Sequence, residues 1–268
     1  MKLKLALITL GSIFLISLIA PLFWGDATLD MNLSERLQGP SISSPFGFDQ
    51  NGIDVFKQVI IGAQTSLFIA LLVTLIASLI GVIVGSISGF FGSWVDQVLM
   101  RVVDIFFAFP GLLLVLTVAA VVQATSVFAL ILTLSFTSWA GYARIVRGEV
   151  LHLKQREYVN SAKALGARNI RQIITHILPN TLPVMGVQMT FGFAGIILSE
   201  SSLTFLGFGI PATQPSWGSL LSSGRQFLWE APHMSIFPGL ALFLVVFLVF
   251  IIGDALREKL YPRPHSLI

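Results

Sequence analysis

From Ser66 to Phe91 the chain carries no charged residue, and the same holds from Leu5 to Trp24. A bilayer core of about 30 Å is crossed by roughly 20 apolar residues in a helix. Hydrocarbon tolerates only backbones whose hydrogen bonds close within the segment or within a barrel. Two uninterrupted runs of this kind direct the chain to an all-α integral membrane fold. Composition agrees, with 55% hydrophobic residues, 11% charged residues and 22 phenylalanines in 268 positions and a mean hydropathy of +0.87. A soluble domain carries about 25% charged residues. The lack of cysteine excludes disulfides, thiolate metal sites and cysteine nucleophiles. A net charge of +3 does not indicate nucleic acid, because the basic residues sit between apolar spans and not on a soluble patch.

Six spans are expected. Leu5–Trp24 is the first; it could be a cleaved signal peptide, but no small-x-small cleavage site follows it, so a retained helix is the preferred reading. Gly25–Ala63 reads as an exposed loop with a short helix near Val55–Ile61. Ser66–Phe91 is the second span, and Ala77, Gly81, Gly85 and Gly89 put one small residue on the same helix face every four positions, for close approach of another helix. After the turn Gly92-Ser93-Trp94, a third span over about Val98–Val122 is expected to kink at Pro110. Ser126–Tyr142, Leu182–Leu206 and Ile236–Ile252 complete the set, with a second polar loop over Gly207–His233. The chain divides into 1–63 (first helix and outer loop), 64–257 (a core of five spans) and 258–268 (a tail).

Loop charge sets the orientation. With the N-terminus inside, thirteen Lys and Arg fall on the cytoplasmic side, against only Arg36, Lys57 and Arg225 outside. Both termini are then cytoplasmic, and so is the one long basic stretch, NSAKALGARNIRQIITHILPN over 160–180. On a helical wheel Val159, Ala162, Gly166, Ile170, Ile173 and Ile177 share an apolar face, opposite Arg156, Asn160, Lys163, Ala167 and Arg171. Gly166 splits the stretch into two short helices, and Pro179 is expected to end the second before the membrane. A basic helix lying on anionic lipid is one reading. The apolar face, built of small and medium residues without Trp or Phe anchors, suits docking into a protein groove better.

These residues resemble a signature of the membrane subunits of ABC importers: Glu-Ala-Ala, three residues, Gly, then Ile-x-Leu-Pro. The spacing is kept in Asn160-Ser161-Ala162, Gly166 and His176-Ile177-Leu178-Pro179, with Asn160, Ser161 and His176 replacing the usual Glu, Ala and Ile. Ser44-Pro45-Phe46-Gly47, Asp49, Gly52, Asp54-Val55, Gly62-Ala63 and Ser66-Leu67 are similar to the outer loop of the dipeptide, oligopeptide and nickel permeases, from which Phe48, Ile53 and Gln64 depart. Pro215-Ser216-Trp217-Gly218, Gly224-Arg225, Ala231-Pro232, Pro238-Gly239 and Gly253-Asp254-Ala255-Leu256-Arg257 resemble that family's second permease type. The resemblance covers about residues 40–264. It implies a type I importer bundle in the bacterial inner membrane, a homologous second permease, two cytoplasmic ATPases and an extracytoplasmic substrate-binding protein. It also implies cargo such as peptides or nickel chelates. Under it, Val159, Asn160, Ser161, Ala162, Ala164, Leu165, Gly166, His176 and Pro179 are expected to couple the chain to an ATPase.

No lysine follows a glycine, so the chain has no G-x-x-x-x-G-K-[ST] phosphate loop, and ATP use would require another chain. No catalytic, cofactor-binding or metal-binding residue is expected: the histidines at 152, 176, 233 and 265 are scattered, and none lies in a span as a base for Ser86 or Ser88. Asp104 and Glu200 are the charges placed deepest in spans and are candidates for the translocation pathway. For Asp104 a helix-surface pair with Arg101 is an equal account. For Glu200 the alternative is a polar packing cluster with the neighbouring serines. A cation-driven secondary transporter is the rival function, but inverted repeats and broken helices with midplane ion ligands are not evident.

Overall fold

A computed structural model describes residues 2–24, 31–211 and 214–260. Nine helices carry the described architecture: α1 Lys2–Trp24, α2 Val55–Phe91, α3 Ser93–Ala108, α4 Gly111–Val122, α5 Val127–Leu153, α6 Glu157–Ala164, α7 Asn169–Phe205, α8 Trp217–Gly224 and α9 His233–Leu260. Five of these (α1, α2, α5, α7 and α9) are long and apolar enough to cross a membrane, and α3 with α4 makes a sixth crossing if the bent pair is one span.

The two halves of that pair meet at 93°. Pro110 was expected to kink one helix, but it ends α3 outright. A residue before proline is driven out of the α region, and Phe109 accordingly sits at φ −103, ψ 144. A second difference lies in α2. The short helix expected near Val55 and the span expected from Ser66 are one helix of 37 residues, so positions 63 and 64 share it. Asp54 starts it by accepting from the N–H groups of Phe56 and Lys57 at 2.7 and 3.4 Å.

α2 and α5 form the most extensive helix pair in the bundle, because the small-residue face of α2 is turned onto α5. A Cβ built on Gly81 would stand 2.3 Å from Cβ of Tyr142, one on Gly85 2.5 Å from the carbonyl oxygen of Ala143, and one on Gly89 2.9 Å from that of Arg147. Only hydrogen fits there.

The outer loop shows why its motif has the residues it has. Asp49 accepts from the N–H groups of Asn51 and Ile53 and from Gln58 at 2.7 to 2.9 Å. Gly52, at φ +71, lets the turn pass the carbonyl of Asn32, where a Cβ would lie 1.8 Å away. In the second loop, Ser216 caps α8 in a reciprocal pair with Ser219. These residues build the loops from within. α1 packs against α2 and α9, and residues beyond Leu260, including most of the expected tail, lie outside the described ones.

Candidate functional site

The basic stretch forms a helix, a glycine turn and a second helix. α6 closes in a Schellman pattern: the N–H of Gly166 donates to Lys163 and that of Ala167 to Ala162, both at 3.0 Å. Gly166 sits at φ +85, and a Cβ there would touch nothing within 4 Å, so backbone conformation alone demands the glycine. At the other end Lys154 extends over the end of α2 and donates its ammonium to the carbonyl of Phe90.

The turn divides what the helical wheel had joined. Val159, expected to reach outward into a partner, is 2% exposed and packs inward with Leu153, Ile177 and Met185. The chain turns at Gly166, with φ +85, so the apolar side of α6 and that of the next helix do not continue each other. Ile170 is accordingly 70% exposed although it was placed on the same face as buried Ile177. Facing outward are Asn160, Ser161, Ala164 and Gly166, with Leu165 at 89%; Ala162 is half-buried. Lys163, Arg168 and Arg171 surround this patch and are exposed.

Pro179, expected to end the second helix, lies within α7, which continues through Pro183 to Phe205. The reason is a π-turn over Gln172–Ile177, in which the N–H of Leu178 reaches back five residues to Ile173. The wider turn relieves the clash that a proline ring otherwise makes with the preceding turn. His176 is half-buried beside it and its carbonyl accepts from the Asn180 side chain at 2.7 Å.

Glu200 is fully buried. Its Oε2 accepts from Ser66 at 3.1 Å and Ser201 at 3.2 Å, and its Oε1 from Thr204 at 3.2 Å. Ser66 in turn accepts from the N–H of Trp217 at 3.3 Å, so the carboxyl knots α2, α7 and α8 together. Asp104 is exposed and pairs with Arg144 on α5 at 2.8 Å, in place of the expected Arg101, while the Arg144 guanidinium lies 3.9 Å from the Phe107 ring centre.

Sequence reasoning missed two features. One is the pair of Asp96 and Arg147, which joins α3 to α5; an aspartate just past the Gly92 turn, opposite the basic end of a span, was the available signal. The other is a cavity of about 500 Å³ at the α3–α4 break, lined by Phe106, Phe107, Thr137, Ser138, Ser199 and Ser202 among others. Ser199 and Ser202 flank Glu200 in sequence, yet they open onto this cavity and the carboxyl does not. Among the described residues no three His, Asp or Glu side chains converge as metal ligands.

The bundle thus has a broken third span and a long segment between its fourth and fifth spans. Its fold matches that of the MetNI methionine ABC transporter in inward-facing form (TM-score 0.64, 17% identity, 77% of this chain and 97% of that one). It also matches an amino acid ABC transporter crystallised with histidines (TM-score 0.59, 14% identity, 76% and 94%). Residues 81–265 match the family described as binding-protein-dependent transport system inner membrane component. The chain is 40% identical over 260 residues to the dipeptide transport system permease protein DppC of Alkalihalophilus pseudofirmus, covering 97% of this chain and 85% of that one. It is 38% identical over 225 residues to the glutathione transport system permease protein GsiD of Escherichia coli, covering 84% and 74%. The protein is a multi-pass inner-membrane permease subunit of the ABC importer class. It belongs to the binding-protein-dependent transport system inner membrane component family, and the secondary-transporter alternative falls away.

Proposed function

We propose that the chain passes peptides released by an extracytoplasmic binding protein, in a pair with a second permease, while two cytoplasmic ATPases drive it through the turn at Gly166. Relatives named for dipeptide and glutathione transport support the peptide cargo. The observation that carries the coupling role is the outward patch around Leu165: an apolar side chain 89% exposed on the charge-rich inner side, held rigidly by the Schellman turn and by buried Val159. Asn160, Ser161, Ala164 and Leu165 make the contact surface. Ala162 and Gly166 shape it, and Val159, His176 and Pro179 hold it against the bundle. ATP is hydrolysed on the partner chains, which matches the lack of a phosphate loop here.

The test is co-expression with the partner permease and ATPase subunits. Leu165→Asp and Gly166→Val should reach the membrane at normal levels and fail to retain the ATPase on purification. Gly166→Asn should retain more of it than Gly166→Val, because asparagine tolerates a left-handed backbone that costs other residues about 1–2 kcal/mol. Full ATP-coupled uptake by Leu165→Asp and Gly166→Val would remove the segment from the coupling role.

A further inference from the structure

A second cavity lies away from the coupling turn and from the α3–α4 break. It runs as a groove between α1, α2 and α9, with Ile13 and Ile16, Ile60 and Ala63, and Ala241 and Leu244 on its three walls, and has a volume of about 590 Å³. Its floor is Trp217, 1% exposed, whose indole N–H already donates to the carbonyl of Val59 at 3.1 Å. The lining is carbon almost throughout. At the outer end Phe46 lies flat on Phe237, with ring centres 4.0 Å apart, and edge-on to Phe56 at 5.0 Å. These three rings line the end nearest the outer loop. On its flank Ile16 and Leu244 are 52% and 44% exposed, which leaves that side open to the surroundings.

We propose that this groove binds one acyl chain of an outer-leaflet phospholipid. All three walls are membrane-spanning helices, so the medium at the mouth is hydrocarbon. An apolar void forfeits dispersion contacts along its whole lining, and voids of this kind take up apolar ligands when these are at hand. No hydrogen-bonding group in the groove asks for a polar ligand, since the Trp217 N–H is satisfied internally. A partner helix, about 10 Å across, would fit only roughly five residues of its length into this volume, whereas an extended hydrocarbon tail can thread it from the mouth to Trp217. The tail would fill the gap between the bundle and α1, the span with the smallest buried share, 17%.

The full chain, reconstituted in nanodiscs containing phosphatidylethanolamine with a diazirine in its acyl chain, tests this by photolabelling and peptide mapping. Labelling at Ile60 and Ala241 should exceed, several-fold, labelling at Leu79 and Ile83, which face outward on α2 at 62% and 51% exposure. Ala241→Trp should fill the groove and bring its labelling down to the Ile83 level. Leu244→Trp, which blocks the mouth without crowding the floor, should do the same and serves if Ala241→Trp does not insert. Equal labelling of groove and Ile83 in the wild type overturns the proposal. Groove labelling that survives the inserted variant does so too, as does recovery of the groove peptides cross-linked to another protein in native membranes.

Discussion

Arg147 holds Asp96 through two parallel hydrogen bonds, Nε to Oδ1 at 2.5 Å and Nη2 to Oδ2 at 2.6 Å, and so clamps α5 to α3. Ser88 donates to the same carboxylate from α2 at 2.5 Å. Three helices thus meet at one ion pair, about two helical turns before Lys154 at the end of α5. Planar bidentate pairing is a property of arginine that lysine does not reproduce. Arg147→Lys should therefore lower stability to unfolding in detergent, and Arg147→Ala further, by about 1.5–3 kcal/mol as for hydrogen bonds to charged groups. The double change Asp96→Ala with Arg147→Ala should cost less than the sum of the two single changes. Strict additivity would mean that the pair is not coupled.

The glycine face of α2 makes an equally sharp expectation. Gly85→Ala places a methyl 2.5 Å from a backbone oxygen of Ala143 that cannot swing away. Separation of α2 from α5 should cost roughly 1–3 kcal/mol, the range for overpacked sites. Gly11→Ala on α1, where nothing lies within 4 Å, should be neutral or slightly stabilising, since alanine favours helix by about 0.5–1 kcal/mol over glycine. Thermal unfolding of the two purified variants decides it, and equal midpoints would mean that α2 and α5 do not pack as described.

Glu200 was a candidate for the translocation pathway, and its surroundings favour a knot between helices. Glu200→Ala leaves three hydroxyls without their acceptor, at about 1–3 kcal/mol for each buried group left unpaired, so its membrane abundance should fall strongly. Glu200→Gln keeps a carbonyl and should be present at near-normal levels with near-normal uptake per molecule. Lost uptake at full abundance in the glutamine variant would return the residue to the pathway.

Topology can be read out directly, because the chain has no cysteine of its own. Single cysteines at Ser43 and Ser222 should react with an impermeant maleimide from the outer side of spheroplasts, and one at Asn169 only after permeabilisation. Labelling at Asn169 in intact spheroplasts would reverse the orientation drawn from the thirteen-to-three charge split.

The spans were legible because hydrocarbon imposes a coarse code: an apolar run such as Ser66–Phe91 has one fate, and a four-residue glycine spacing has one good use. What stayed hidden was geometry set by the backbone. Polarity kept the short helix near Val55–Ile61 inside the loop and apart from the span, yet Asp54 caps one helix that continues into the span, since nothing between them breaks it. Pro110 and Pro179 look alike in sequence. The first follows an extended Phe109 and breaks the chain by 93°; the second follows a π-turn and is absorbed. The wheel drawn through Gly166 failed for the same reason, because a positive φ turns the chain and periodicity cannot report it. Depth alone could not tell Glu200 from a pathway residue either, since its three partners sit on α2 and α7, up to 134 positions away.

Because α7 passes both of its prolines, the residues that follow the Gly166 turn and the cluster at Glu200 belong to one continuous helix of 37 residues. At 1.5 Å per residue such a rod is about 55 Å long. Leverage then follows from length: a tilt of about 10° about one end carries the other through roughly 10 Å along such a helix, close to the width of a neighbouring helix. Under the proposed coupling, a stroke too small to unpack the inner contacts would be magnified at the far surface, whereas a flexible joint at Pro179 would dissipate it.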